Sequence, residues 1–267
     1  VTLFQAIVLG VVQGLAEFLP VSSSAHLTLV PFFFGWKDPG LAFDVALHFG
    51  TLVALVWYFR DEWIELIKSG VRILQTRRIE SVRERRVLYL IVATIPGGIA
   101  GKLLNDYAES TFRSPLLIAC TLTIMGVLLW AADRFAAPAR ALDEITMRDA
   151  VLVGFAQCLA LIPGVSRSGS TITAGRALQL DRPSAARFSF LMSMPITAAA
   201  VAIKLPEAIR VAGLSTPLIA GIVAAFISSW LAITVLMRYI SRHSFGVFAL
   251  YRIMLAAAVV ATVFARR

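Results

Sequence analysis

Charge is scarce in this sequence. Of its 267 residues, 15% are Asp, Glu, Lys or Arg, while 58% are hydrophobic. A soluble domain carries roughly a quarter charged residues and about half apolar ones. The deficit argues against an ordinary water-facing globule, and lipid is the simplest medium for the excess. Cysteine is equally sparse. Cys120 and Cys158 stand in apolar runs with no metal-ligand spacing, so they read as small core residues. A basic leader is missing too. The first apolar segment is interrupted by Gln5, Gln13 and Glu17, and no cleavable signal is expected there. Acidic residues number 16 against 25 basic ones, a net charge of +9. In a membrane chain this balance reflects arginines held on the cytoplasmic side, and no nucleic-acid partner is expected.

What the sequence does have is long apolar runs. Six are long enough to cross a bilayer: about 43–60, 86–105, 115–134, 188–204, 216–237 and 247–264. Between the first two, residues 61–85 read as an amphipathic surface helix with a basic end. Arginines gather in four groups: Arg60 to Arg86, Arg134 to Arg148, Arg176 to Arg187, and Arg238 with Arg242. Six crossings put all four groups on one side, which should be cytoplasmic. Both termini and the loops 106–114 and 205–215 then lie outside. Arg266 and Arg267 run against this pattern.

Two apolar segments do not fit as crossings. Segments 3–36 and 149–175 each start as a helix-like run, meet a breaker (Phe18-Leu-Pro20 and Ile162-Pro-Gly164), and continue through a Ser-rich stretch. That is the pattern of a re-entrant hairpin. A shift of 144 residues brings Ala6, Gly10, Gln13, Leu15, Ala16, Val21, Ser22 and Ser24 onto identical residues, eight matches in nineteen positions. The expected architecture is an all-α membrane protein of six crossings and two re-entrant hairpins. It forms one membrane domain over 1–267, as an inverted-topology repeat of about 1–135 and 149–267.

Polar groups are costly in lipid and mark function there. They concentrate at the two breaks. At the first, Gln13 and Glu17 are four apart and share a helix face. A carboxylate there can hold a divalent cation or act as a base. Ser22, Ser23 and Ser24 offer hydroxyls, and His26 can take a proton near neutral pH. Ser22 would alternatively be a plain helix cap. At the second break, Ser166-Arg167-Ser168-Gly-Ser-Thr171 suits an oxyanion. The guanidinium forks onto it, the Gly-rich turn aims N–H groups at it, and a helix resuming near Ser168 adds its dipole. Together these supply a cation ligand or base (Glu17), a nucleophile (Ser22 or Ser23), a proton shuttle (His26) and an anion clamp (Arg167 with Ser166, Ser168 and Thr171). Phosphoryl transfer needs those parts, and in a membrane a lipid phosphate is the natural substrate. Asp44 and His48 form a weaker signal, four apart at the start of a crossing, and read equally well as an interfacial cap pair. His243 lies in a basic loop, and Trp36, Trp57, Tyr58 and Trp63 read as interfacial aromatics.

The stretches Gln13-x-x-x-Glu17-Phe-Leu-Pro-Val-Ser-Ser-Ser-Ala-His26 and Pro163-Gly-Val-Ser-Arg-Ser-Gly-Ser-Thr171 resemble the two motifs of the undecaprenyl-diphosphate phosphatases of the bacitracin-resistance type. The resemblance covers nearly the whole chain. It implies removal of the terminal phosphate from an isoprenoid lipid diphosphate at an externally facing site in the bacterial inner membrane. The product would be the monophosphate carrier lipid of cell-wall synthesis. It further implies a divalent cation, Mg or Ca. By motif position, Glu17 looks like the acid/base or cation-binding carboxylate, Ser23 the nucleophile with Ser22 beside it, His26 the proton-transfer partner, and Arg167 the diphosphate clamp. Ser166, Ser168 and Thr171 would line the same pocket. His26 attacking in place of Ser23 stays open. Gln13 is a permitted form of its position but leaves one carboxylate where other members have two.

A lipid-phosphate transporter or flippase is the competing reading, because inverted repeats with broken helices also build carriers. The acid-phosphatase-like lipid phosphatases place a histidine six residues after the arginine of a Ser-Arg pair. Thr173 stands there, so that class is set aside. Prenyl length and oligomeric state, monomer or homodimer, are left open.

Overall fold

A computed structural model describes residues 1–109, 114–136 and 140–266. Its helices are α1 (Leu3–Phe18), α2 (Ser23–Phe34), α3 (Leu41–Tyr58), α4 (Arg60–Thr76), α5 (Val82–Glu109), α6 (Pro115–Phe135), α7 (Met147–Cys158), α8 (Arg167–Ala177), α9 (Arg182–Ala212), α10 (Thr216–Ile240) and α11 (Gly246–Ala265). Among the described residues there is no β-strand; one isolated bridge pairs Arg140 with Leu180. Six helices are long and apolar enough to cross a membrane: α3, α5, α6, α9, α10 and α11. These are the six crossings expected from the runs. Of the outer loop expected at 106–114, residues 110–113 lie outside the described residues, as does Arg267.

Two boundaries differ from the sequence reading. The amphipathic helix expected through 85 stops at Thr76, where Arg77 turns left-handed (φ +54°). Residues 82–85 instead open α5. The Glu84 carboxylate accepts from the Glu80 and Ser81 amides, and the Ser81 hydroxyl accepts from the Glu84 amide. This reciprocal cap starts a new helix rather than extending the old one. The fourth crossing begins not near 188 but at Arg182, where Asp181 accepts from the Ser184 amide at 2.6 Å and Pro183 fits the first turn.

Helix association in lipid depends on close backbone approach. Here α10 packs against both α1 and α3 through small residues. A Cβ at Gly10 would sit 2.2 Å from the Gly221 carbonyl, and one at Gly50 would sit 2.2 Å from the Ile222 carbonyl. Large side chains such as Ile95, Ile124, Ile227 and Met254 point outward and are exposed, as a lipid-facing surface requires.

Arginines of the first and third groups converge on shared acidic partners. Arg86 and Arg187 both reach Glu62, at 3.1 and 2.7 Å, and Arg86 also meets Asp143. Buried Asp133 accepts from Arg176 at 2.9 Å, from Arg182 at 2.8 Å and from the Phe245 amide at 2.9 Å. These bonds tie α4, α5, α6, α8, α9 and the turn before α11 together.

Both segments that failed as crossings are helix–break–helix units. The first is α1, a break at 19–22, and α2. The second is α7, a 3-10 turn at Leu159–Leu161, a break, and α8.

Candidate active site

The two breaks meet in the interior. At the first, Ser22 sits at φ +75°; at the second, Ser166 sits at φ +73°. A non-Gly residue in that region costs on the order of 1–3 kcal/mol. The hydroxyl offsets this by capping the helix that follows. Ser22 Oγ accepts from the Ala25 amide at 3.3 Å, and Ser166 Oγ from the Gly169 amide at 3.0 Å. The hydroxyl two residues on lies 3.2 Å from each cap, Ser24 from Ser22 and Ser168 from Ser166.

The breaks are also stitched to each other. The Gly164 amide donates to Ser22 Oγ at 3.1 Å, and Ser168 Oγ lies 3.2 Å from the carbonyls of Glu17 and Leu19. Gly164 has no substitute: its φ is +91°, and a Cβ would lie 2.0 Å from Thr121 Oγ1. Behind both breaks stands Arg252 of α11, fully buried. Its guanidinium donates to the carbonyls of Pro20 (3.0 Å), Gly164, Val165 (3.0 Å) and Leu122 (3.3 Å).

Glu17 is the hub of the polar cluster. It is 7% exposed, and both carboxylate oxygens are engaged. Oε2 accepts from Gln13 Nε2 at 2.9 Å and Ser23 Oγ at 2.7 Å, and lies 3.3 Å from His48 Nε2. Oε1 pairs with Arg167, whose guanidinium also donates to Thr197 Oγ1 and to the Ser193 carbonyl at 3.2 Å. These groups border a cavity of about 200 Å³ whose walls include Glu17, Ser23, His48, Gln157, Arg167 and Thr197.

Of the residues read from sequence, Gln13, Glu17, Ser23 and Arg167 come together here, and Ser166 lines the cavity beside them. Ser22 and Ser168 are buried and spent on the stitching of the breaks. Thr171 is buried as well, donating to the Arg167 carbonyl at 2.7 Å and lying 2.6 Å from Ser189 Oγ, so it supports α8 from behind. His26 turns toward α11. Its Nδ1 is 2.7 Å from the Ser22 carbonyl and therefore carries a proton, while Nε2 is 2.8 Å from the Tyr251 hydroxyl. It does not line the cavity.

The histidine beside Glu17 is His48, from the pair whose cap reading was equally open. The Asp44 backbone carbonyl, not its carboxylate, holds His48 Nδ1 at 2.8 Å and turns Nε2 to Glu17. Thr197, Gln157 and Arg252 were not singled out as site residues. Arg252 had a signal, since an arginine in the middle of an apolar run must find partners inside the bundle. Gln157 had one too, as the residue that the 144-residue shift aligns with Gln13.

A divalent cation needs hard oxygen donors. Glu17 and Ser23 offer them at the cavity wall, while the partnerless Gln13 Oε1 is buried outside it. Among the described residues no three His, Cys, Asp or Glu side chains converge on one point. The donor set therefore fits a cation that shares its shell with substrate oxygens and water, as Mg²⁺ commonly does.

The arrangement can do acid–base work. A carboxylate lies within hydrogen-bond reach of a hydroxyl, a fixed guanidinium stands against the same carboxylate, and a histidine completes the ring. Its setting inside an apolar bundle makes these charges act at low dielectric.

The family model described as Bacitracin resistance protein BacA matches residues 6–258. The chain is 69% identical over 265 residues to the undecaprenyl-diphosphatase of Gemmatimonas aurantiaca, covering 99% of each chain. It is 53% identical over 266 residues to that of Moorella thermoacetica, covering all of both. Identity with the undecaprenyl-diphosphatase of Pelotomaculum thermopropionicum is 47% over 266 residues.

Proposed function

The chain belongs to the bacitracin resistance protein BacA family, and from that premise we propose how its cavity works. The protein is a membrane undecaprenyl-diphosphatase. It hydrolyses undecaprenyl diphosphate to undecaprenyl phosphate and inorganic phosphate, returning the carrier lipid to cell-wall synthesis. The observation that carries the mechanism is the contact of Glu17 with both Ser23 and Arg167 inside the apolar bundle.

In the resting site Arg167 is held by Glu17. An arriving diphosphate competes for that guanidinium, which can fork onto two phosphate oxygens. Released from the ion pair, the Glu17 carboxylate takes the Ser23 proton across 2.7 Å while Oγ attacks the terminal phosphorus. The bond from phosphorus to the bridging oxygen breaks, and undecaprenyl phosphate leaves with the electron pair. Water then attacks the phosphorus of the phosphoserine and gives its proton to His48; the P–Oγ bond breaks, Ser23 Oγ recovers its proton from Glu17, and inorganic phosphate is freed. His48, 3.3 Å from Glu17, is the nearest group able to exchange protons with it. Attack by His26 is less favoured, because both its ring nitrogens are engaged outside the cavity. Glu17 and Ser23 would hold a divalent cation, Mg or Ca, which would supply charge neutralisation to the diphosphate.

We read the two helix–break–helix units as re-entrant hairpins of an inverted repeat, about 1–135 and 149–267, within one membrane domain. The matched positive-φ serine caps support this, as do the eight sequence matches. With the arginine-rich end in the cytoplasm of a bacterial inner membrane, the cavity opens to the periplasm. Every group in the mechanism comes from a single chain, so a homodimer is not required.

The test is phosphate release from undecaprenyl diphosphate by purified protein, with Mg²⁺ or Ca²⁺ and with a chelator, for wild type and Arg167→Ala. Release by wild type alone is expected, stopped by the chelator. Lipid binding without release under either cation would return the transporter reading.

A further inference from the structure

Gln157 is the last residue but one of α7 and is 3% exposed, yet neither atom of its amide has a hydrogen-bond partner. A buried polar group left unmatched costs about 1–3 kcal/mol, and such groups in folded proteins call for an explanation. Here the position supplies one. The side chain forms part of the wall of the cavity that holds Glu17, Ser23 and Arg167.

Room for this amide is made by a different helix. Gly97 of α5 faces it so closely that a Cβ there would lie 2.4 Å from Gln157 Nε2 and 3.0 Å from Cδ. A glycine on one helix is thus matched to an unpartnered amide on another, at the rim of a charged site.

We infer that Gln157 is a substrate-binding residue: its Nε2 donates to a non-bridging oxygen of the lipid diphosphate, and its Oε1 accepts from water in the same cavity. The diphosphate carries only acceptors toward the protein, so the NH₂ group must be the one turned to it. The cavity then grips the anion from α7 as well as from α8, where Arg167 stands. This inference rests on the phosphatase reading above.

Substitutions at both positions test it. A hydrogen bond from a neutral amide to a charged phosphate corresponds to a KM increase of roughly 10- to 100-fold on its loss, with kcat changed much less. Gln157→Ala should show that rise. Gln157→Glu keeps the shape but opposes carboxylate to phosphate, and its KM should rise further. Gly97→Ala presses on the ends of two flexible side chains, Gln157 and, at 3.0 Å, Ile196 Cδ1, so it should raise KM in the same direction with little change in thermal stability. No hydrogen bond is lost in the empty site, so Gln157→Ala should not melt below wild type in detergent. A purely structural residue would give the reverse: a lowered melting temperature with KM unchanged.

KM within about twofold of wild type in both Gln157 variants, against an active wild type, overturns the inference and leaves the phosphatase standing. If wild type released no phosphate, the phosphatase reading would fail instead. Gln157 would then be judged by thermal protection from a methylenediphosphonate analogue of undecaprenyl diphosphate. Protection lost in Gln157→Ala supports its anion contact, and protection equal to wild type overturns it.

Discussion

Arg252→Met removes the guanidinium that joins the two breaks and leaves the hydrophobic run of α11 otherwise intact. Four carbonyl acceptors lose their donor: Pro20, Gly164, Val165 and Leu122. Each hydrogen bond from a charged donor contributes about 1.5–3 kcal/mol, but removing a buried cation also regains its desolvation penalty. Each buried carbonyl left without its donor costs about 1–3 kcal/mol, and the regained desolvation offsets part of the sum, so a net loss of about 3–5 kcal/mol is expected. For a chain of this size that lowers the melting temperature by roughly 10 °C. Turnover should fall as well, because Pro20 and Gly164 sit in the breaks that aim Glu17 and Arg167 at each other. Arg252→Lys should be intermediate, since an ammonium keeps the charge without the planar fork. The assay is thermal unfolding of detergent-purified protein, followed by tryptophan fluorescence, beside phosphate release at saturating substrate. A melting temperature within about 2 °C of wild type with full turnover would refute the bracing role, because a fully buried donor cannot be lost without consequence if its acceptors stay buried.

Glu17→Gln keeps the size of the side chain and removes the base; turnover should drop about 10²- to 10⁴-fold, and activity within tenfold of wild type would dismiss Glu17 as the proton acceptor. Ser23→Ala should lose most activity, with no phosphoenzyme trapped by rapid acid quench; near-wild-type rates would transfer the attack to His26 or water. His48→Ala should reduce kcat more than His26→Ala, since His48 lies beside Glu17 while His26 faces Tyr251; the opposite ranking would restore His26 as the proton shuttle. Gly164→Ala should destabilise the protein by at least about 1–3 kcal/mol from its positive φ alone, before the clash with Thr121; an unchanged melting curve would contradict the geometry of the second break.

The six crossings were legible because a bilayer imposes one length and one composition on every helix that spans it. Pro20, Pro163 and Gly164 announced the breaks, since each is incompatible with an uninterrupted helix there. Gln13, Glu17, Ser23 and Arg167 could be paired across about 150 positions only because polar groups in an apolar chain have few places to go. The end of the amphipathic helix at Thr76 was not legible. It depends on a local competition, won by the cap that Glu84 and Ser81 build for the next helix.

What the sequence alone determined is therefore the medium, the number of crossings, the two breaks and most of the polar residues between them. These follow from hydropathy and local backbone sterics, which act over a few turns of chain. Tertiary structure decided which of those polar groups share one cavity. Choosing between His26 and His48 as the neighbour of Glu17 depends on how α3 and α11 pack against the breaks. The same is true of the space Gly97 leaves for Gln157, and of the four carbonyls gathered by Arg252. Such distances are set by helix packing between segments far apart in the chain, and one-dimensional patterns carry no information about that rotation and depth.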